Sequence, residues 1–493
     1  MSRAAILHVT SPFGGGVDRH VRDIVRGVDR PQLIWHAGEG ADVIEDSRSN
    51  RFRALAADAV DARGDTLAAW FRGKGIGLVH LHQFTRAPRE RAEWACRALG
   101  VPRIATLHDV LFLRPDAFAV ADSLEPDPAW LAETARILRE SRAVLAPSRW
   151  LAQLASSRVP GLAIDVVPNG TAVALDATAR DAAVRPEFAS HRPVRVVALL
   201  GALGPHKGAD LLEQVAARLA GSDIALVLIG YADRHLHPGW RMPGRLFVHG
   251  AFAEGEAAGL LRGYGAKLVL MPSPVPESFS YALSEAWAAG VPVLAAPLGA
   301  LAERIGAHGG GWLLPGSFDA DLVAREVVSL AGGEREAERA RVQSQLARPD
   351  PARIPSLDAM TRSLDAFYAR FGIDPAVPGP ADAATLESLL ARNLDSSLFR
   401  EELVRLSDEL AQTLTALDDI TRRSQAFESE ARQWIAKLEE DVRAVQDDLR
   451  RTQEERDRLA AEADLLRLNK EALDRLPSPL RRLLLKLAFD ARR

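Results

Sequence analysis

The feature that most constrains this chain is a rhythm of short apolar runs separated by stretches long enough for a helix. A first series places runs at residues 6–10, 78–81, 104–107, 144–146 and 166–167. A second places them at 194–200, 225–229, 246–249, 267–271 and 291–295. Such runs fit strands buried on both faces of a parallel sheet, and the helical lengths between them make βαβ units. The rhythm predicts an α/β protein with two doubly wound, Rossmann-like domains, at residues 1–175 and 190–350. Residues 171–193 carry no strong pattern and read as the connection. An amphipathic stretch at residues 353–372 follows, with Leu357, Met360, Leu364, Phe367 and Tyr368 on one face.

The pattern then changes. From residue 381 to 475 there is no Pro or Gly, and apolar residues recur at Leu403, Leu406, Leu410, Leu417, Ile420 and Phe427 in steps built from threes and fours. The seam continues through Trp434 and Leu438 and shifts register at Val442, a stutter in a heptad pattern. This predicts a long α-helical coiled coil and, through it, a homo-oligomer. Pro477 and Pro479 break the helix. Residues 476–493 then mix Arg481, Arg482 and Lys486 with Leu480, Leu483, Leu484, Leu485, Leu487 and Phe489. That tail suits either an anionic membrane surface or a protein neighbour.

Composition narrows the function classes. The net charge of −4 over 493 residues argues against a general nucleic-acid-binding surface. The single cysteine, Cys96, rules out an intramolecular disulfide and reads as a small buried apolar residue. No run approaches the roughly 18–20 apolar residues of a membrane span. The first run turns into Gly14-Gly15-Gly16 too early for a signal-peptide core. The expected location is the cytoplasm, extending to peripheral contact with the inner face of the membrane.

The chemistry-bearing residues concentrate at strand ends. Glu277 and Glu285 bracket Ser278, Phe279 and Ser280 after the 267–271 run. On a helix starting near Ser278 the two carboxylates would fall roughly on one side, about 12 Å apart at 1.5 Å per residue. That is too wide for a paired-carboxylate glycosidase, where separations are roughly 5–9.5 Å. It suits two hydroxyl-rich groups of one extended ligand; a capping acid at Glu277 and a core-edge Glu285 are the plain alternative. Gly14–Gly16 follow the first strand and fit either a ligand loop or a tight turn. His80 and His82 end a strand, and His108-Asp109 end the next. No third ligand at metal spacing is visible in the sequence.

Taken in order, these elements resemble the family-4 retaining glycosyltransferases (group 1) of the GT-B fold. The resemblance rests on the Glu277…Glu285 element followed by Ala-x-Ala-Ala-Gly-Val-Pro-Val, the Gly14-Gly15-Gly16-Val17-Asp18-Arg19-His20 loop, His80-x-His82 and Thr106-x-His108-Asp109. Pro147-Ser148 and Pro168-Asn169-Gly170 add to it, and it extends to about residue 372. It implies a nucleotide diphosphate sugar as substrate, with His108, Glu277 and Lys207 catalytic. Donor binding would involve Gly14, Gly15, Gly16, Gly201, Lys207, Gly230, Tyr231, Ser278, Phe279, Ser280 and Glu285. His20, His82 and Asp109 would lie toward the acceptor. It implies neither a cofactor nor an essential metal, and the 353–372 helix would cross back to the first domain. The architecture points to a lipid-linked or surface polysaccharide acceptor, such as lipopolysaccharide O-antigen or capsule. One departure stands out: the family's Gly-Arg-Leu loop is here Gly201-Ala202-Leu203, so a cation expected on the diphosphate is missing. The alternative is therefore a catalytically weakened GT-B scaffold that recruits partners through its coiled coil.

Overall fold

The computed structural model describes residues 3–490, apart from residues 13, 39–41, 48–50, 57, 119–123, 172–183, 192–194, 233–234, 236, 317–318, 349, 374–388 and 395. The chain forms two units, Met1–Leu414 and Thr415–Arg493. Within the first unit lie two sheets. One contains β1 (Ala5–Thr10), β2 (Gln32–Ala37), β3 (Asp42–Asp46), β4 (Arg51–Leu55), β5 (Ile76–Leu81), β6 (Arg103–Thr106), β7 (Ala143–Ala146), β8 (Asp165–Val166) and, from much later in the chain, β16 (Leu390–Leu394). Their spatial order is β16-β4-β3-β2-β1-β5-β6-β7-β8. The other contains β9 (Arg195–Leu203), β10 (Ile224–Ala232), β11 (Gly239–Met242), β12 (Leu246–Val248), β13 (Ala266–Met271), β14 (Val293–Ala295) and β15 (Gly311–Leu313), in the order β11-β12-β10-β9-β13-β14-β15.

The central strands β1, β5, β9, β10 and β13 formed where apolar runs predicted them, because each is covered on both faces; β2, also buried at all six residues, had no predicted run. All six residues of β1 are buried: Leu7 and Val9 join one core, Ile6 the other. The strands that the rhythm did not announce are mostly antiparallel or marginal. β3 and β4 mix charged with apolar residues and pair antiparallel at one side of the sheet, with Asp42 and Glu45 buried against cationic or imidazole partners. Helix was expected from residue 381. Instead Leu390–Leu394 pairs antiparallel with β4, covering an edge that would otherwise present unpaired backbone groups.

The helix Leu357–Phe371 packs on the first sheet. Met360, Leu364 and Tyr368 are buried with Ile6, Ile24, Leu78 and Leu145, and Arg30 Nε reaches Asp365 at 2.5 Å. Just before it the chain lies beside its own outgoing segment. Thr171 N donates to Pro355 O at 2.9 Å, and a Cβ on Gly170 would stand 2.5 Å from Leu357 Cα.

A single helix runs Ser396–Asp474, followed by a second over Ser478–Asp490. Along it Trp434, Leu438, Val442, Val445 and Leu449 are each more than half exposed. The seam positions from Leu403 to Phe427, and the start of the segment near residue 381, lie outside the described side chains. No described helix is long and apolar enough to cross a membrane.

Candidate active site

The two sheets face each other across a cleft of about 690 Å³, within the range of small-ligand sites. Its walls are loops at the carboxyl ends of parallel strands, where ligands of doubly wound sheets bind. From the first lobe come Gly15, Gly16, Arg19, His108, Asp109 and Asn169. From the second come Gly201, Ala202, His206, Lys207 and residues 275–282 with Glu285. Gly15 stands at φ 96 as the cap of the helix Gly16–Gly27, a conformation an L side chain resists; Gly14 is exposed beside it and does not line the cleft.

On the second lobe, β9 delivers Gly201 and Ala202, and a short turn at Pro205–Lys207 brings Lys207 to the wall. Lys207 Nζ lies 3.7 Å from Glu277 Oε1. Glu285 is held from the opposite lobe: Arg19 Nη1 donates to its Oε1 at 2.6 Å, while the guanidinium lies 4.2 Å from the Tyr281 ring centroid and Nε lies 3.3 Å from Glu254. Burial raises the Glu285 carboxyl against the opposing pull of Arg19.

The helix carrying Glu285 begins at Tyr281, not near Ser278, so helical rise does not set the spacing of the two glutamates. The cause is Ser280. It sits at φ 70, alone among the described non-glycine residues in having a positive φ, and its Oγ accepts from Leu283 N. Arg304 holds this turn. Its Nη1 donates to Phe279 O at 2.9 Å and Ser280 O at 3.0 Å. Its Nη2 donates to Ser284 Oγ at 2.8 Å and Arg353 O at 3.0 Å, and Phe279 stacks on it at 4.1 Å. Burial pushes the guanidinium down to about 9, so it remains charged at neutral pH. Ser278 Oγ donates across the cleft to His108 O.

Behind His108 lie four more buried histidines. His108 Nε2 is 3.2 Å from His82 Nδ1, His82 Nε2 is 3.0 Å from His8 Nδ1, and His8 Nε2 is 2.8 Å from Gln32 Oε1. His80 bonds Tyr368 OH and Thr106 Oγ1, each at 2.8 Å. Burial keeps all of them neutral, lowering His108 to about 3 and His8, against its bond to Gln32, to about 4. Burial also lifts Asp109 to about 6, opposed by its bond from Leu111 N. The third ligand that the sequence did not show is supplied by folding: the ring nitrogens of His20, His82 and His108, and those of His8, His80 and His82, lie within 4.8 Å of one another.

The fold therefore brings together Gly15, Gly16, Gly201, Lys207, Glu277, Ser278, Phe279, Ser280, Glu285, His108 and Asp109. His20 and His82 pack behind His108. Gly230 and Tyr231 do not line this cleft; a Cβ on Gly230 would meet Gly201 O at 2.1 Å, so close strand packing accounts for that glycine. Sequence reasoning missed Arg19, Tyr281, Arg304, His8 and Gln32. Arg19 was findable, one turn into the helix that the glycine loop opens. Burial raises the Cys96 thiol to about 11, consistent with a packing role.

Two facing doubly wound lobes with a cleft at their strand ends define the GT-B architecture. Similar solved folds include the Anabaena protein HepE in complex with UDP and glucose (TM-score 0.52, 17% identity, 75% of this chain and all of that one). Sucrose-phosphate synthase from Thermosynechococcus elongatus is another (0.56, 19%, 75% and 99%). The glycosyltransferase family 4 model matches residues 14–175, and the glycosyl transferases group 1 model matches residues 183–345. This chain belongs to that family of glycosyltransferases. It is 29% identical over 322 residues to the D-inositol 3-phosphate glycosyltransferase of Segniliparus rotundus (61% of this chain, 64% of that one). It is 28% identical over 216 residues to the lipopolysaccharide 1,2-N-acetylglucosaminetransferase of Salmonella typhimurium (40% and 56%). The matches thus span a little over half to just under two thirds of these relatives' own length.

Proposed function

We propose that the protein transfers a sugar, with retention, from a nucleotide diphosphate sugar to a glycan acceptor. The observation that carries this reading is the pairing of Lys207 with Glu277 on the second-lobe wall, facing His108 on the first. Lys207 would neutralise the departing diphosphate, Glu277 would hold sugar hydroxyls and Glu285 the ribose. The bond from the anomeric carbon to diphosphate oxygen breaks as an acceptor hydroxyl bonds to that carbon on the same face, and the hydroxyl proton passes to the departing phosphate. Charge neutralisation by Lys207, which lines the second-lobe wall, would serve in place of a divalent metal. The acceptor we favour is a lipid-linked or surface polysaccharide, built by an oligomer joined along the exposed Trp434–Leu449 seam, with the 476–493 tail at a membrane surface.

The test is thermal stabilisation of the full chain against nucleoside diphosphates and nucleotide sugars, followed by donor hydrolysis and transfer. Binding to the native state raises the melting temperature by mass action. The expected result is a shift with one base class, lost in Lys207→Ala and Glu285→Ala, and turnover abolished in Glu277→Ala but unchanged by chelator. No shift with any nucleotide would favour the non-catalytic scaffold, with Ala202 as the physical reason.

A further inference from the structure

The five buried histidines are not interchangeable, because one end of their chain has a fixed polarity. Gln32 Nε2 faces two backbone carbonyls, Val28 O at 2.9 Å and Val25 O at 3.4 Å. Carbonyls only accept, so the amide NH₂ must point there and Oε1 must point at His8. An amide oxygen also only accepts, so His8 Nε2 carries the hydrogen. A neutral imidazole has one N–H, which leaves His8 Nδ1 as an acceptor, and the hydrogen in the His8–His82 contact must sit on His82 Nε2. By the same step His82 Nδ1 accepts from His108 Nε2. His80 packs beside this chain and imposes nothing on it, since both its hydrogen-bond partners are hydroxyls that donate or accept.

We propose that Gln32, a residue of β2 that does not line the cleft, is a positioning residue. Through His8 and His82 it holds His108 as the Nε2–H tautomer, leaving Nδ1 as a lone-pair acceptor for a ligand hydroxyl. No proton is transferred along the chain; its role is to set polarity. With the opposite tautomer the same nitrogen would donate and would select for a ligand oxygen that only accepts. The inference rests on the nucleotide-sugar reading for its ligand, but the tautomer itself does not. It also conflicts with metal binding by His20, His82 and His108 through His82 Nδ1 and His108 Nε2, since both of those nitrogens would then need lone pairs.

The experiment is two-bond ¹H–¹⁵N correlation on the full chain labelled at histidine, at neutral pH and without ligand, with signals assigned by single His→Gln variants. Expected are Nε2–H tautomers for His8, His82 and His108. In Gln32→Leu, which removes the acceptor at similar size, His108 should populate the Nδ1–H form; in Gln32→Glu, whose buried carboxyl is protonated to donate to Val28 O and still presents an acceptor oxygen to His8, it should not. Where transfer is measurable, kcat/KM in Gln32→Leu should fall on the order of tenfold and Gln32→Glu should recover most of it. A purely structural Gln32 would lower the melting temperature in Gln32→Leu and leave the tautomers alone. That result overturns the proposal, as does Nδ1–H on His108 in the unsubstituted chain, or one equivalent of Zn²⁺ binding that perturbs all three ring signals. If the tautomers are as expected but no nucleotide binds, the failure lies with the transferase reading and not with the Gln32 chain.

Discussion

Arg304→Met should be among the most damaging single substitutions in the second lobe, and its cost follows from four hydrogen bonds. The guanidinium donates to three carbonyls and one hydroxyl at 2.8–3.0 Å and is only 6% exposed. Hydrogen bonds to a charged group contribute roughly 1.5–3 kcal/mol each, so the gross loss is on the order of 6–12 kcal/mol. Against that stands the cost of burying the charge, several kcal/mol, which methionine no longer incurs. The net destabilisation is about 3–5 kcal/mol, a large share of a typical 5–15 kcal/mol stability. Among the described bonds outside helices and strands nothing else holds Phe279 O, and Ser280 O otherwise carries only the first intrahelical bond of an N-cap, so the turn at φ 70 should relax and displace Ser278 and Glu277. Urea unfolding should show the loss, and nucleotide-induced thermal stabilisation should fall with it. Arg304→Lys should recover less than half, because one ammonium cannot serve acceptors in the fork geometry of a guanidinium. A methionine variant within about 1 kcal/mol of the unsubstituted protein would refute the clamp.

Further outcomes can be checked directly. Burial raises Asp109 to about 6, so between about pH 4 and 6 the folded state binds more protons than the unfolded state, and stability falls as pH rises. Asp109→Asn keeps the bond from Leu111 N and should flatten that slope, gaining about 1–2 kcal/mol above pH 7 in denaturant titrations. Gly230→Ala places a methyl group 2.1 Å from Gly201 O at φ 131 and should cost more than about 4 kcal/mol or prevent soluble expression; near-native stability would contradict the strand contact. Leu438→Glu should convert an oligomer to monomers by light scattering; a monomeric unsubstituted chain would remove the reason for the exposed seam.

The parts of the fold legible in the sequence are those dominated by burial alone. β1, β5 and β13 are covered on both faces, so their residues announce them without help from distant partners. β16 could not be read that way. Leu390–Leu394 sits in a periodic helical stretch, and only the unpaired edge of β4, over three hundred residues earlier, makes a strand the better state. The site divides similarly. Lys207, Glu277 and His108 sit at strand ends and were visible as motif residues. The helix start at Tyr281 depends on Arg304 reaching back to the 279–280 carbonyls. The Gln32–His8–His82 path crosses three strands, and neither leaves a local signal.

The contact of Thr171 with Pro355, beside Gly170 and Leu357, means that the outgoing and returning crossings between the lobes meet at one place. Two lobes whose chain crossings meet at one place, with the Glu303 contact to Arg149 N and Trp150 N as a further tie, have a pivot there, and any relative turn displaces each residue in proportion to its distance from that axis. Arg19–Glu285 and Ser278–His108 would then act as latches, each holding the lobes by contacts a bound ligand could replace. Gly170, which does not line the cleft, would govern the whole lever: a side chain there would shift the axis itself, changing how every latch closes while leaving the chemistry of both walls untouched.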